Sequence, residues 1–129
     1  MPGPLEGVRV LEFTQIIAGP LGCMLLADQG AAVIKVEPIE GEASRLQQQF
    51  TPLESKTYQS LNRGKRSLSL NLTRPEAQEI IHRLVPSIDV VVSNYRPDVP
   101  ARLNIDYATL SEIRPDLVYM DSTAFGRKG

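Results

Sequence analysis

Asn94-Tyr95-Arg96, with Arg102 one or two helical turns further on, are the side chains best suited to holding a phosphate-bearing aromatic ligand. An asparagine can bond a ligand amide or its own backbone, a tyrosine can stack on a planar ring, and an arginine fork matches a phosphate. Asn-x-x-Pro is also a good turn sequence, so Asn94 to Pro97 could serve only to end a strand. A second place is Ala18-Gly19-Pro20, where free backbone N–H groups and small side chains suit an anionic or planar ligand. Its glycine could equally do no more than permit a turn and tight helix packing. Gly19-Pro20-Leu21-Gly22 is not the G-x-G-x-x-G of dinucleotide sites, yet Glu37 stands where a ribose-binding acid would. Arg63-Gly64-Lys65-Arg66 offers either a phosphate contact or a solvated charged edge.

A nucleophile with its base is not found. There is no Ser/His/Asp arrangement, and Asp28, Asp89, Asp98, Asp106, Asp116 and Asp121 are scattered, Asp121 being best placed at a strand end. The single cysteine, Cys23, lies in an apolar stretch and reads as a small core residue. The single histidine, His82, reads as a solvated helix residue, and no ligand spacing for a metal surrounds either. The chain has 129 residues, 42% apolar and 22% charged, which suits one globular domain. A net charge of −1 and no basic run interleaved with aromatics leave nucleic acid without an electrostatic footprint. Apolar stretches fall short of the ~20 residues a membrane span needs, and no signal-peptide pattern opens the chain. A cytoplasmic location is expected.

The elements that must position these residues alternate. Val8–Phe13 and Ala31–Glu37 read as strands around a helix over Leu21–Gln29, with Pro20 in its first turn and Gly30 as its stop. Residues 38–64 lack a regular apolar period and read as a long excursion. Ser67–Leu72 alternates as a strand, Thr73 is a plausible N-cap, and Pro75 opens a helix carrying Ala77, Ile80, Ile81 and Leu84. Ile88–Val92 reads as a buried strand, two short helices follow near 99–103 and 107–113, and Leu117–Met120 is the last strand. The fold class predicted is α/β, Rossmann-like, a largely parallel sheet with flanking helices. In such sheets ligands gather beyond the carboxyl ends of the strands, which selects residues 14–20, 37–45, 71–75 and 93–97.

Several segments, in order and at matching spacing, resemble the class III CoA-transferases, the group of formyl-CoA transferase, carnitine CoA-transferase and α-methylacyl-CoA racemase. They are Pro4-Leu5-Glu6-Gly7-Val8-Arg9-Val10-Leu11, Ala18-Gly19-Pro20, Leu26 to Ala31 and Val33 to Pro38, then Asn62 to Ser67, Asp89 to Val92, Asn94 to Pro97 and Phe125-Gly126. The resemblance implies that residues 1–129 form an incomplete, N-terminal CoA-binding domain of a homodimeric enzyme. Coenzyme A or acyl-CoA would be the substrate, and no cofactor would be covalently bound. It further implies CoA contacts at Ile17 and Ala18, at Leu70, Asn71, Leu72 and Thr73, at Asn94, Tyr95 and Arg96, and at Arg102. The aspartate that attacks acyl-CoA in the transferases would lie downstream of Phe125-Gly126, so no residue of this chain is expected to be catalytic. Oxalate-processing members carry an arginine at the position of Pro38, for which Arg45 is the candidate substitute, and a histidine and a glutamine at Gln15 and Ile17. Formyl-CoA/oxalate specificity is therefore not expected. The racemase branch, a dinucleotide-binding domain and a non-catalytic dimerisation module remain the alternatives.

Overall fold

The computed structural model describes residues 2–51 and 54–127. Two runs that each carry apolar side chains, Arg9–Phe13 (β1) and Ala32–Glu37 (β2), pair in parallel with Val10 opposite Val33 and Glu12 opposite Lys35. Between them runs α1 (Ala18–Asp28), which starts three residues before Leu21, where the sequence placed it. Gly19 allows that early start, because a Cβ there would sit 2.5 Å from the Thr14 side chain. Gly30, at φ +102°, ends the connection as expected.

Residues 38–64 are more structured than their sequence suggests. They hold a 3₁₀ turn at Ala43–Leu46, a short antiparallel pair of β3 (Gln49–Thr51) and β4 (Glu54–Ser55), and a helix, α2 (Lys56–Asn62). Only Asn62 of α2 is buried, so the helix carries no apolar stripe from which a period could be read. Its first turn is fixed instead by the Ser55 hydroxyl, which accepts from the Tyr58 N–H.

β5 (Arg66–Ser69) ends three residues earlier than the alternation predicts. Thr73 is not the N-cap of α3 (Pro75–Leu84); that position is Arg74, without a side-chain cap, and Asn71 Oδ1 accepts from both the N–H and the hydroxyl of Thr73. β6 (Val90–Ser93), α4 (Val99–Arg102), α5 (Tyr107–Ile113) and β7 (Val118–Asp121) fall close to their expected places. The strands β5-β2-β1-β6-β7 form one sheet, every pairing parallel. The Rossmann-like class is borne out, and the chain order reverses between β1 and β6, the point at which such sheets open a crevice.

One sheet face packs Leu11, Phe13, Val36 and Val91 against Ala77 and Ile81 of α3, Leu110 of α5, and Val85, Ile88 and Ile105. The other packs Val10, Val33 and Val92 against Cys23 of α1. Toward the carboxyl ends of β1 and β2 this second face turns polar, with Glu12, Lys35 and Glu37 all buried. The candidate site lies at this end of the sheet.

Candidate functional site

An open cavity of about 880 Å³ lies beyond the carboxyl ends of β2 and β5. Leu70, Asn71, Leu72 and Thr73 line it as they leave β5, and Pro38, Ile39 and Glu40 as they leave β2. Tyr95 and Arg96 enter from the turn after β6, followed by Val99, Arg102 and Leu103. Gln15 contributes from the end of β1. Apolar side chains thus form part of the lining, with two exposed guanidiniums among them. Tyr95 is part-buried against the core, and burial pushes its phenol up to about 12.

Asn94 does not line the cavity. Its Oδ1 accepts from the Gln15 N–H at 2.9 Å, and its Nδ2 donates to the Gln15 carbonyl at 2.8 Å. The amide therefore ties the loop after β1 to the loop after β6, across the reversal in strand order. The next residue, Ile16, has φ 70°, a conformation that β-branched side chains rarely adopt. Ile17 and Ala18 follow it, both exposed, and neither lines the cavity.

Glu37 supports the β2 wall. Its Oε1 accepts from Arg45 Nη2 (2.8 Å), Tyr58 Oη (2.6 Å) and Ser67 Oγ (2.8 Å). Its Oε2 accepts from Arg45 Nε (2.7 Å) and the Glu42 N–H (3.2 Å). Burial alone would raise this carboxyl; the bonds from Arg45, Tyr58, Ser67 and the Glu42 N–H outweigh it and hold it down to about 2. With every lone pair engaged and the side chain 2% exposed, Glu37 has nothing left with which to bind a ribose. Arg45 donates to Glu37 and to the Tyr58 hydroxyl and lies 3.7 Å over the Tyr58 ring, and with Pro38 it lines a small second cavity of about 220 Å³.

Beside this lies a buried ionic cluster. Lys35 Nζ reaches Glu12 (3.1 Å), Glu42 (3.0 Å) and the Thr14 carbonyl (2.9 Å). Lys65 Nζ reaches Glu12 (2.9 Å), the Pro20 carbonyl (2.8 Å) and Asn62 Oδ1 (2.9 Å). Each ammonium has three acceptors, the condition under which a buried charge is tolerated. Burial still pulls Lys65 below its ordinary value, against the attraction of Glu12. Within Arg63-Gly64-Lys65-Arg66, Lys65 is therefore a buried strut, Arg63 pairs with Asp28 at the surface, and Arg66 is exposed. The clue was present in the sequence, since Glu12 and Lys35 interrupt runs that otherwise read as core strands.

The remaining candidates take structural parts. Cys23 is buried, and its thiol is raised to about 12, first by burial and then by Glu12. His82 is not simply solvated, because its Nε2 lies 2.7 Å from the Asn104 carbonyl. Asp121 pairs with Arg127, and Asp89 with Arg114, at 2.6 and 2.8 Å. Among the described residues no cluster of three metal-ligating side chains occurs, and no helix is long and apolar enough to cross a membrane.

The model for CoA-transferase family III matches residues 5–129. The chain belongs to CoA-transferase family III. It is 40% identical over 128 residues to succinyl-CoA:glutarate CoA-transferase from Homo sapiens, covering 98% of this chain and 29% of that protein. Against succinyl-CoA:mesaconate CoA-transferase from Haloarcula marismortui it is 43% identical over 129 residues, covering 96% and 33%. A crystal structure of Rv3272 from Mycobacterium tuberculosis superposes with a TM-score of 0.92 at 39% identity, covering 99% of this chain and 36% of that one. The chain thus spans about a third of the length of these family III relatives. Of the positions at which family membership leads one to expect CoA, the fold gathers Leu70–Thr73, Tyr95, Arg96 and Arg102 around one cavity. Asn94, Ile17 and Ala18 lie outside the lining. Val99 and Leu103 add to the apolar lining, and in the sequence isolated apolar residues on or beside a short helix carry no distinguishing pattern.

Proposed function

We propose that this chain is the CoA-binding domain of an acyl-CoA:carboxylate CoA-transferase. The reaction passes CoA between carboxylic acids through an aspartyl-CoA thioester, and we assign the attacking aspartate to none of these residues. The observation that carries the reading is the cavity, where segments leaving β5 and β6 converge with two arginines on one rim. A nucleotide-bearing thiol carrier needs such a surface, part apolar and part cationic. The relatives named for succinyl-CoA with glutarate or mesaconate support dicarboxylic acids as the acyl class. Formation of a homodimer by the complete enzyme is supported by Leu21 and Leu25 of α1 and Val118 and Met120 of β7, apolar side chains left exposed. A cytoplasmic location, expected from the sequence, belongs to the same reading.

Of the proposed CoA-binding set, Leu70, Asn71, Leu72, Thr73, Tyr95, Arg96 and Arg102 line the cavity, Asn94 acts by fixing the Gln15 turn, and Ile17 and Ala18 belong to the set from outside the lining. The saturation of Glu37 argues against the dinucleotide alternative, because a nicotinamide cofactor would need that carboxylate for its ribose. Isothermal titration of this chain separates the two: CoA should bind, and NAD should bind at least roughly tenfold more weakly, about 1.4 kcal/mol. Tighter binding of NAD than of CoA would refute the assignment.

A further inference from the structure

Arg96 and Arg102 converge on one oxygen atom. Arg96 grips Asp98 with its Nε (3.0 Å to Oδ1) and Nη2 (2.9 Å to Oδ2), and Arg102 Nη2 lies 3.1 Å from the same Oδ2. Among the described residues neither guanidinium has another ion-pair or hydrogen-bond partner, and both are largely exposed, at 77% and 68%. Both arginines line the cavity and Asp98 does not. An oxyanion held between two guanidiniums, one of them bidentate, has the geometry by which a phosphate group is recognised. Asp98 precedes α4 but makes no side-chain cap, so helix capping does not account for it.

We propose that Asp98 is an internal placeholder for a ligand phosphate: its carboxylate holds Arg96 and Arg102 around one anion position and must yield when a phosphate binds there. The inference rests on the reading of the cavity as the CoA site and adds a residue that tunes its affinity. Exposed ion pairs contribute little, so a phosphate carrying more charge than a carboxylate displaces Asp98 readily. The displaced carboxylate nonetheless remains nearby as a competitor. Replacing it with a neutral side chain should therefore strengthen binding, whereas a carboxylate that only orients the arginines would weaken binding when lost.

Isothermal titration of CoA, pantetheine and inorganic pyrophosphate into the parent chain, Asp98→Asn and Asp98→Ser tests this. Both variants should bind CoA and pyrophosphate roughly 3- to 10-fold more tightly, the scale of one or two exposed ion pairs, and pantetheine no differently. Arg102→Gln added to Asp98→Asn should abolish the gain. Asp116→Asn, which removes one negative charge from an exposed pair with Arg114 beside the start of β6, should change nothing. Unchanged or weaker binding of both anions by the Asp98 variants overturns the placeholder. If CoA binds the parent chain and the variants equally well, the placeholder fails while the functional reading stands. If CoA binds neither yet pyrophosphate binds the variants more tightly, the clamp stands and the functional reading fails. Binding of neither probe to any form overturns both.

Discussion

A single amide holds together the two loops that flank the reversal of the sheet. Asn94 spends its donor and its acceptor on the backbone of Gln15, next to the positive-φ Ile16. Such a backbone conformation costs about 1–3 kcal/mol and persists only where neighbours enforce it. Asn94→Ala should therefore cost about 1–2 kcal/mol in urea denaturation, the net worth of two partly exposed hydrogen bonds. Asn94→Asp should cost no less, because a carboxylate would face the Gln15 carbonyl. A loss below about 0.3 kcal/mol for Asn94→Ala would show that the turn holds itself. The residue was conspicuous in the sequence, but its part was not: an asparagine before a proline signals a turn, and nothing local reveals a partner 79 positions away. Cys23 shows the opposite case, where an apolar neighbourhood correctly announced a buried side chain.

At the scale of elements, sequence patterning located the parallel strands and their helices because each buries an apolar face with period 2 or 3.6. It failed over residues 38–64, where α2 and the turn at 43–46 are held by polar bonds converging on Glu37 and the Glu12–Lys35–Lys65 cluster. Charge partners leave no period. Because Glu37 sits at about 2 when folded against an ordinary 4.5, its stabilising effect is complete above about 4.5 and is lost as pH falls toward 2. The difference corresponds to on the order of 3 kcal/mol. Glu37→Gln should consequently lower stability at pH 7, and the gap to the parent should close as the pH is lowered from 5 to 2. Chemical denaturation across that range reads it directly. A gap independent of pH would mean that Glu37 acts through shape rather than charge.

For the molecule as a whole, the consequence of five parallel strands is that every strand exit faces the same way. Residues 70–73, 95–96 and 102 are distant in the chain yet share one rim, as strand direction alone predicts. Strand direction could not foresee that Ile17 and Ala18 would stand aside from that rim, since their placement depends on the Ile16 turn. The most direct test is amide chemical-shift mapping of the isotope-labelled chain during titration with CoA. Shifts should concentrate at Asn71, Leu72, Thr73, Tyr95, Arg96 and Arg102. Shifts confined to the opposite edge, around Asp89 and Arg114, would contradict the account.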